Sequence, residues 1–154
     1  MKKIFFSILT LLSIFSFGQI SLEQYNHDYL KGKRVTILYF YTDWCAYCKI
    51  QEKEIEKNND IKNSLNHDFY FIKLNAESRD EIIFLDEKYS PVIINNKVKT
   101  HSFVRNFTEN NENDSYPLWI FLDEDLKIIG KHSGFLNTKN LNKILNNKKI
   151  ATKL

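Results

Sequence analysis

The fold prediction depends first on the segment Val35-Thr36-Ile37-Leu38-Tyr39-Phe40-Tyr41-Thr42-Asp43-Trp44-Cys45-Ala46-Tyr47-Cys48. Its first seven residues are β-branched, aromatic or leucine without interruption, which predicts a buried strand. Thr42-Asp43-Trp44 is a predicted turn, and helix-forming residues continue from Cys45 to about Lys57. The stretch therefore predicts a strand, a turn and a helix, with Cys45 at the helix N-terminus and Cys48 one turn further along.

Cys45 and Cys48 are the only cysteines of the chain. A disulfide between them closes a very small loop, worth about 2 kcal/mol of chain entropy against nearly 5 for a loop of about 100 residues. The pair is therefore a poor structural staple, and its spacing favours reversible redox chemistry. Because the helix N-terminus stabilises a thiolate at Cys45, we expect Cys45 to attack and Cys48 to resolve the mixed disulfide.

Other chemistries for the cysteine pair are disfavoured. A zinc site needs two further soft ligands, and the four histidines are scattered singly, at His27, His67, His101 and His132. Covalent haem attachment needs a histidine directly after the second cysteine, where this chain has Lys49. An inert pair of buried thiols remains the third possibility, although an oxidising compartment does not favour it.

The N-terminus has the layout of a secretory signal peptide. Met1-Lys2-Lys3 is basic, Ile4 to Phe17 is an uncharged run of 14 residues, and Ser16 and Gly18 are small residues before Gln19. A membrane-spanning helix needs about 20 apolar residues, so we predict a leader at 1–18, cut before Gln19. The domain at 19–154 is then periplasmic or secreted. An uncleaved N-terminal anchor is the alternative.

Composition excludes several protein classes. The chain has 154 residues with 43% hydrophobic and 14% aromatic residues, which suits one folded domain and excludes wholesale disorder. Its formal charge is +3, and removal of Lys2 and Lys3 leaves 20 basic against 19 acidic residues. Such a balance lacks the basic excess that binding to a nucleic-acid backbone requires.

The chain resembles the thioredoxin superfamily in three places: the strand 37–41 with the signature 43–49, the run 115–123 around Pro117, and Gly130 with Gly134-Phe135. The resemblance covers roughly 35–145. Its Asp-Trp-Cys-x-x-Cys-Lys signature is most similar to the C-terminal domain of DsbD-type thiol:disulfide interchange proteins, and also to secreted single-domain thioredoxin-family proteins. The resemblance implies an α/β thioredoxin fold, with a central mixed β-sheet flanked by helices and an inserted hairpin or loop before the proline strand.

The resemblance also implies a site. Pro117 is expected to be cis and beside the cysteines, where Tyr116 and Trp44 help to bind the substrate; an ordinary trans proline opening an edge strand is the alternative. Asp43 and Lys49 complete the signature as supporting residues. No cofactor is implied. The implied partners are protein thiols and disulfides and a membrane or soluble electron donor, and we expect a monomer.

Two positions depart from the family. Thioredoxins carry a buried acid six residues before the first cysteine, where this chain has Tyr39. A buried carboxylate can relay the proton of the resolving thiol, whereas tyrosine, with an ordinary pKa of about 10, is a poor base near neutral pH. Asp43 and Glu52 are the nearby candidates for that task, or simply solvated charges. Leu118 follows the proline where threonine is frequent.

The rest of the pattern predicts further elements. In chain order they are a helix at 21–30 capped by Ser21, a short helix at 61–65, a strand at 69–74, a helix at 78–89 in which 82–85 could equally be strand, a hairpin of 92–94 with 97–104, a loop at 108–115, an antiparallel pair of 118–122 with 126–133, a last helix capped by Asn137 or Thr138, and a frayed tail at 148–154. His101 and His132 are expected at the surface or partly hydrogen-bonded.

Together these patterns predict an extracytoplasmic thiol–disulfide oxidoreductase. The similarity to DsbD-type domains favours the reductive direction. The alternative, from a different class, is a thioredoxin-fold binding module for extracytoplasmic proteins whose cysteine pair is idle.

Overall fold

The predicted strand–turn–helix unit is present. The structure is a computed structural model that describes residues 20–108 and 115–146. Strand β1 spans Thr36–Tyr41, and helix α2 spans Ala46–Lys57 with Cys45 as its N-cap. The predicted leader, most of the loop predicted at 108–115 and the predicted frayed tail lie outside the described residues.

A four-stranded mixed sheet forms the centre of the molecule, in the order β2-β1-β7-β8. Strand β2 (Tyr70–Asn75) is parallel to β1, whereas β7 (Leu118–Leu122) is antiparallel to both β1 and β8 (Ile128–Ser133). Tyr39 lies opposite Lys73 on one side and Trp119 on the other. This sheet confirms the predicted fold class.

Helices cover both faces of the sheet, and side chains along each strand alternate between the two faces. Ile37 and Tyr39 face a cluster formed with α2, α3 (Asn59–His67) and α5 (Thr138–Asn146). Leu38 and Phe40 face the opposite cluster, which includes Tyr25 of α1 (Leu22–Tyr29). Both faces of β1 are thus buried, which explains its unbroken apolar sequence.

Side-chain caps set the helix boundaries. Ser21 accepts a hydrogen bond from the backbone N–H of Gln24 at 3.1 Å, and Asn137 accepts one from that of Asn140 at 2.9 Å. Asn58 accepts from the N–H groups of Asp60 and Ile61. Because Asn58 caps a new helix as well as ending α2, α3 is longer than the single turn predicted at 61–65.

The helix prediction for 78–89 is wrong, and its strand alternative is correct. This segment forms a hairpin of β3 (Ile82–Phe84) and β4 (Glu87–Tyr89). Ile82 and Phe84 are buried whereas Ile83 is exposed, which is the period of a strand. The side chain of Asn26 in α1 secures the turn by donating to the carbonyl oxygen of Ile83 and accepting from the N–H of Leu85.

A second hairpin confirms the predicted insertion in part. Strands β5 (Val92–Ile94) and β6 (Lys97–Lys99) pair as expected, but a short helix α4 (Ser102–Arg105) replaces the end of the predicted second strand. His101 caps α4, since its Nδ1 accepts from the N–H of Phe103 at 3.1 Å, and its Nε2 donates to the carbonyl oxygen of Asp80. His101 is fully buried and both of its ring nitrogens are hydrogen-bonded, so the hydrogen-bonded alternative is correct and the surface alternative is not.

Within the described residues, no helix has the length and apolar character needed to cross a membrane.

Candidate active site

Cys45 and Cys48 form a disulfide where β1 passes into α2, with their Cα atoms 5.3 Å apart. Both residues are almost fully buried, whereas Ala46 and Tyr47 between them are exposed. The backbone N–H of Cys45 donates to the carbonyl oxygen of Thr42 at 3.1 Å, which closes the turn ahead of the helix. The redox pair is therefore presented on a helix end that the buried strand holds in place.

The sulfur of Cys45 faces the open end of α2. Its Sγ accepts a hydrogen bond from the backbone N–H of Cys48 at 3.0 Å, in the position that a side-chain oxygen occupies at an ordinary N-cap. A thiolate at this sulfur would receive the same N–H and the positive end of the helix dipole. Attack by Cys45 rather than Cys48 stays a prediction, and this position would favour it.

Tyr39 lies behind the cysteine pair and is fully buried. Its hydroxyl donates to the carbonyl oxygen of Cys48 at 3.3 Å, and its ring meets that of Trp119 edge to face at 4.6 Å. Burial raises the pKa of Tyr39 far above its usual value, and the negative charge of Glu52 raises it further. Tyr39 therefore stays neutral and cannot take up the proton of Cys48.

The carboxylate of Glu52 neighbours this tyrosine. Glu52 lies four residues after Cys48 in α2, on the same side of the helix, and its Oε1 is 2.8 Å from the Nζ of Lys73. The Nζ of Lys73 also lies 4.6 Å from the centre of the Tyr41 ring. Glu52 is half-buried, so of the two carboxylates considered from sequence it is the one held in place by a cation.

Trp44 forms an exposed wall beside the disulfide, with 68% of its surface accessible. Its indole Nε1–H donates to Oε2 of Glu77 at 3.0 Å. Its ring also lies 6.3 Å from the ring of Tyr116, nearly perpendicular to it. The two predicted substrate-binding aromatics are therefore in contact across the site.

Pro117 lies at the same end of the sheet as the cysteines. Leu118 is opposite Phe40, so the preceding proline is level with the end of β1. The Tyr116–Pro117 peptide bond is cis, as the resemblance implies. The carbonyl oxygen of Pro117 accepts from the N–H of Gly134 at 2.8 Å; Gly134 adopts a φ of 100°, a conformation that favours glycine.

The two supporting residues are exposed. Asp43 lies in the turn before Trp44, where its charge contributes to a raised pKa of Tyr41 after the larger effect of burial. Lys49 lies in the first turn of α2, and its backbone N–H donates to the carbonyl oxygen of Cys45 at 3.4 Å. Neither side chain has a described contact with the disulfide.

Sequence reasoning missed Glu77. It follows β2 by two residues, and β2 is parallel to β1, so both strands end on the cysteine side. The sequence signal that could have identified Glu77 was a carboxylate two residues after the strand that runs parallel to the cysteine strand.

A cavity of about 370 Å³ lies away from this site. Its lining includes Lys31, Arg34 and Tyr70, which surround the start of β1 and β2 rather than their ends.

Residues 26–149 match the family described as a thioredoxin-like domain. The chain belongs to the thioredoxin-like family. This thioredoxin-like domain is also 31% identical over 84 residues to "Thioredoxin 2" of Plasmodium berghei (strain Anka). That alignment covers 50% of this chain and 52% of the Plasmodium protein, so the chain spans about half the length of the curated relative it matches.

Solved structures share the fold of this thioredoxin-like domain at low identity. "DsbH Oxidoreductase" has a TM-score of 0.54 at 13% identity, over 88% of this chain and 84% of that one. The disulphide isomerase from Xylella fastidiosa Temecula1 has a TM-score of 0.53 at 13% identity, over 81% and 86%. A thioredoxin from Thermus thermophilus has a TM-score of 0.52 at 13% identity, over 78% and 77%. These likenesses concern the fold alone.

Proposed function

We propose that this protein is an extracytoplasmic thiol–disulfide oxidoreductase that reduces disulfides of protein partners. The thioredoxin-like family and the Cys45–Cys48 disulfide support thiol–disulfide chemistry. One observation carries the proposal: the Cys45 sulfur sits at the N-terminus of α2 and accepts the N–H of Cys48. A purely structural bridge of this loop size would add little stability.

The reductive cycle balances in two steps. The Cys45 thiolate attacks one sulfur of the substrate disulfide, forming a mixed disulfide and releasing a substrate thiolate. Cys48 then loses its proton and attacks the Cys45 sulfur, which releases the second substrate thiolate and forms the Cys45–Cys48 disulfide. The substrate gains two electrons, both of its thiolates take protons, and a dithiol donor must return two electrons to the domain.

The surroundings give each step its physical support. The helix N-terminus stabilises the attacking thiolate. Trp44, Tyr116 and Pro117 lie together at one end of the sheet, where an extended substrate segment could bind against exposed backbone. Because Tyr39 is neutral, Glu52 or water is left to accept the proton of Cys48.

Location and direction rest on the N-terminal sequence and on the resemblance to DsbD-type domains. A leader at 1–18 would support a location in the periplasm or outside the cell. A reductase there needs electrons from a membrane or soluble donor, because the surroundings are oxidising.

A redox titration tests the direction. Equilibration with dithiothreitol or glutathione buffers, followed by thiol labelling, gives the potential of the Cys45–Cys48 couple. A potential of about −270 mV indicates a reductase, and a potential of about −120 mV indicates an oxidase. If the protein is instead a binding module, Cys45→Ser should leave partner capture unchanged. The oxidoreductase proposal predicts that this variant no longer captures its partners.

A further inference from the structure

The β5–β6 hairpin is a small sheet of its own. Ile94 lies opposite Lys97 and Val92 opposite Lys99, so these four side chains share one face. Asn95 and Asn96 form the two-residue turn with φ values of 50° and 61°, as in a tight type I′ connection. Within the described residues the hairpin pairs with no other strand, so its edges are open.

The base of the hairpin is fixed to the active-site end of the central sheet. The carbonyl oxygen of Ser90 accepts from both the N–H and the hydroxyl of Ser102, at 3.4 and 2.7 Å. The N–H of His101 donates to the carbonyl oxygen of Ala76 at 2.8 Å, and the N–H of Ala76 donates to that of Tyr41 at 2.7 Å. Tyr41 ends β1, four residues before Cys45.

The shared face combines exposed apolar and cationic groups. Ile94 is 51% accessible, and Lys97 and Lys99 are exposed. The sequence contains no acidic residue between Glu87 and Glu109, over which it carries Lys88, Lys97, Lys99 and Arg105. Lys88 is paired with Glu81 at 2.8 Å, whereas in the described part of the chain Lys97 and Lys99 have no ion pair.

We propose that the β5–β6 hairpin docks an extended, acidic segment of the protein whose disulfide Cys45 reduces. The inference rests on the proposed function and adds a partner class to it. An extended segment can hydrogen-bond to an open strand edge, and its alternate side chains then meet one face of the hairpin. Apolar residues of that segment would contact Ile94, and carboxylates two residues away would meet Lys97 and Lys99.

The test uses three synthetic peptides that contain the same disulfide loop. In each extended flanking segment a valine is followed two residues later by glutamate, serine or lysine, so that both side chains lie on the same face. We expect kcat/KM for the acidic peptide to exceed that for the serine peptide about fivefold, since a partly exposed ion pair contributes a factor of roughly 1.5 to 5. Raising the salt from about 0.1 M to about 1 M should remove the difference, because the screening length falls from about 10 Å to about 3 Å.

Charge reversal locates the preference. The double variant Lys97→Glu with Lys99→Glu should lose the acidic preference or invert it. The matched control is Lys31→Glu with Lys127→Glu, which makes the same change of net charge at exposed lysines near the opposite end of the sheet. We expect this control to keep the acidic preference. If long-range attraction by net charge alone caused the preference, both double variants would weaken it equally.

An apolar pair of variants tests the contact itself. Ile94→Ser should reduce kcat/KM about twofold to threefold for the acidic and serine peptides alike, since both carry the valine, whereas Ile128→Ser, at a site 54% accessible, should not. Equal kcat/KM for the acidic and serine peptides in the native protein overturns the inference, and then the lysines only protect the hairpin edge against aggregation. The oxidoreductase proposal fails separately, if no peptide is reduced while a disulfide-free acidic peptide still binds by fluorescence anisotropy.

Discussion

Tyr39 donates a hydrogen bond to the carbonyl oxygen of Cys48 at 3.3 Å, from a fully buried position beneath the redox helix. The bond ties the first turn of α2 to the central strand. Tyr39 is a neutral group at the position where the resemblance to thioredoxins implies an acid. The proton of Cys48 must therefore leave by another route than position 39.

The first prediction concerns Tyr39→Asp. A buried charge costs several kcal/mol, so we expect a lower melting temperature than that of the native protein. Desolvation should raise the pKa of the new carboxyl, which could then accept the Cys48 proton near neutral pH. Resolution of the mixed disulfide should become faster, as measured by stopped-flow kinetics between about pH 6 and about pH 9.

Tyr39→Phe is the control for that experiment. It keeps the ring against Trp119 and removes only the hydroxyl, so it should cost about 0.5–1.5 kcal/mol of stability without faster resolution. If Tyr39→Asp resolves no faster than Tyr39→Phe at any pH, proton transfer from Cys48 does not limit the reaction.

The second prediction assigns the two sulfurs. Cys45→Ala should abolish reduction of insulin disulfides, because it removes the thiolate at the helix N-terminus. Cys48→Ala should accumulate mixed disulfides with substrates, since Cys45 still attacks and nothing resolves the product. Non-reducing gel electrophoresis with mass spectrometry distinguishes them, and equal trapping by both variants would refute the assignment.

The third prediction concerns the link between Glu77 and Trp44. Glu77→Ala removes the acceptor of the indole N–H, so the exposed Trp44 ring loses its fixed orientation. We expect KM for a protein disulfide to rise about twofold to tenfold, the effect of one hydrogen bond, with kcat nearly unchanged. Glu77→Gln retains an oxygen acceptor and should restore KM and the downfield indole N–H resonance. Identical KM values for the alanine variant and the native protein would argue that Trp44 needs no such support.

The fourth prediction concerns pH and His101. Burial lowers the pKa of His101 below its ordinary value, and protonation would also cost the hydrogen bond that its Nδ1 accepts from Phe103. The unfolded chain binds this proton at a higher pH than the folded chain does. The contribution of His101 to the free energy of unfolding is therefore complete above about pH 6.5, and it decreases as the pH falls below that value. Urea unfolding between about pH 8 and about pH 5 measures this loss.

His101→Asn is the matched variant, because asparagine is a good N-cap that does not titrate. It should be about 1–2 kcal/mol less stable at pH 8, from the lost bond to Asp80, with a shallower dependence on pH. A pH dependence unchanged from the native protein would assign the effect to other groups.

The fifth prediction concerns the leader. Expressed with its own N-terminus in a Gram-negative host, the exported protein should begin at Gln19. N-terminal sequencing or intact mass measures this directly. A membrane-bound form that keeps Met1 would favour the uncleaved anchor instead.

Sequence periodicity alone determined the elements that bury apolar surface on a regular repeat. The unbroken run before Thr42 predicted β1, and Ser21 and Asn137 marked helix starts because a cap bonds within its own turn. The cysteine spacing, with the preceding strand, also predicted the redox pair and the helix end that carries it. These features depend on residues close together in the chain.

Tertiary structure decided what depends on distant residues. Residues 82–89 form a hairpin because Asn26, far away in the chain, holds its turn and because Ile82 and Phe84 find buried partners there. His101 is buried because the loop around Asp80 folds over it. Glu77 reaches Trp44 only because β2 lies parallel to β1 and both strands end on the same side. Such contacts leave no local period in the sequence, since each joins segments that only the assembled sheet brings together.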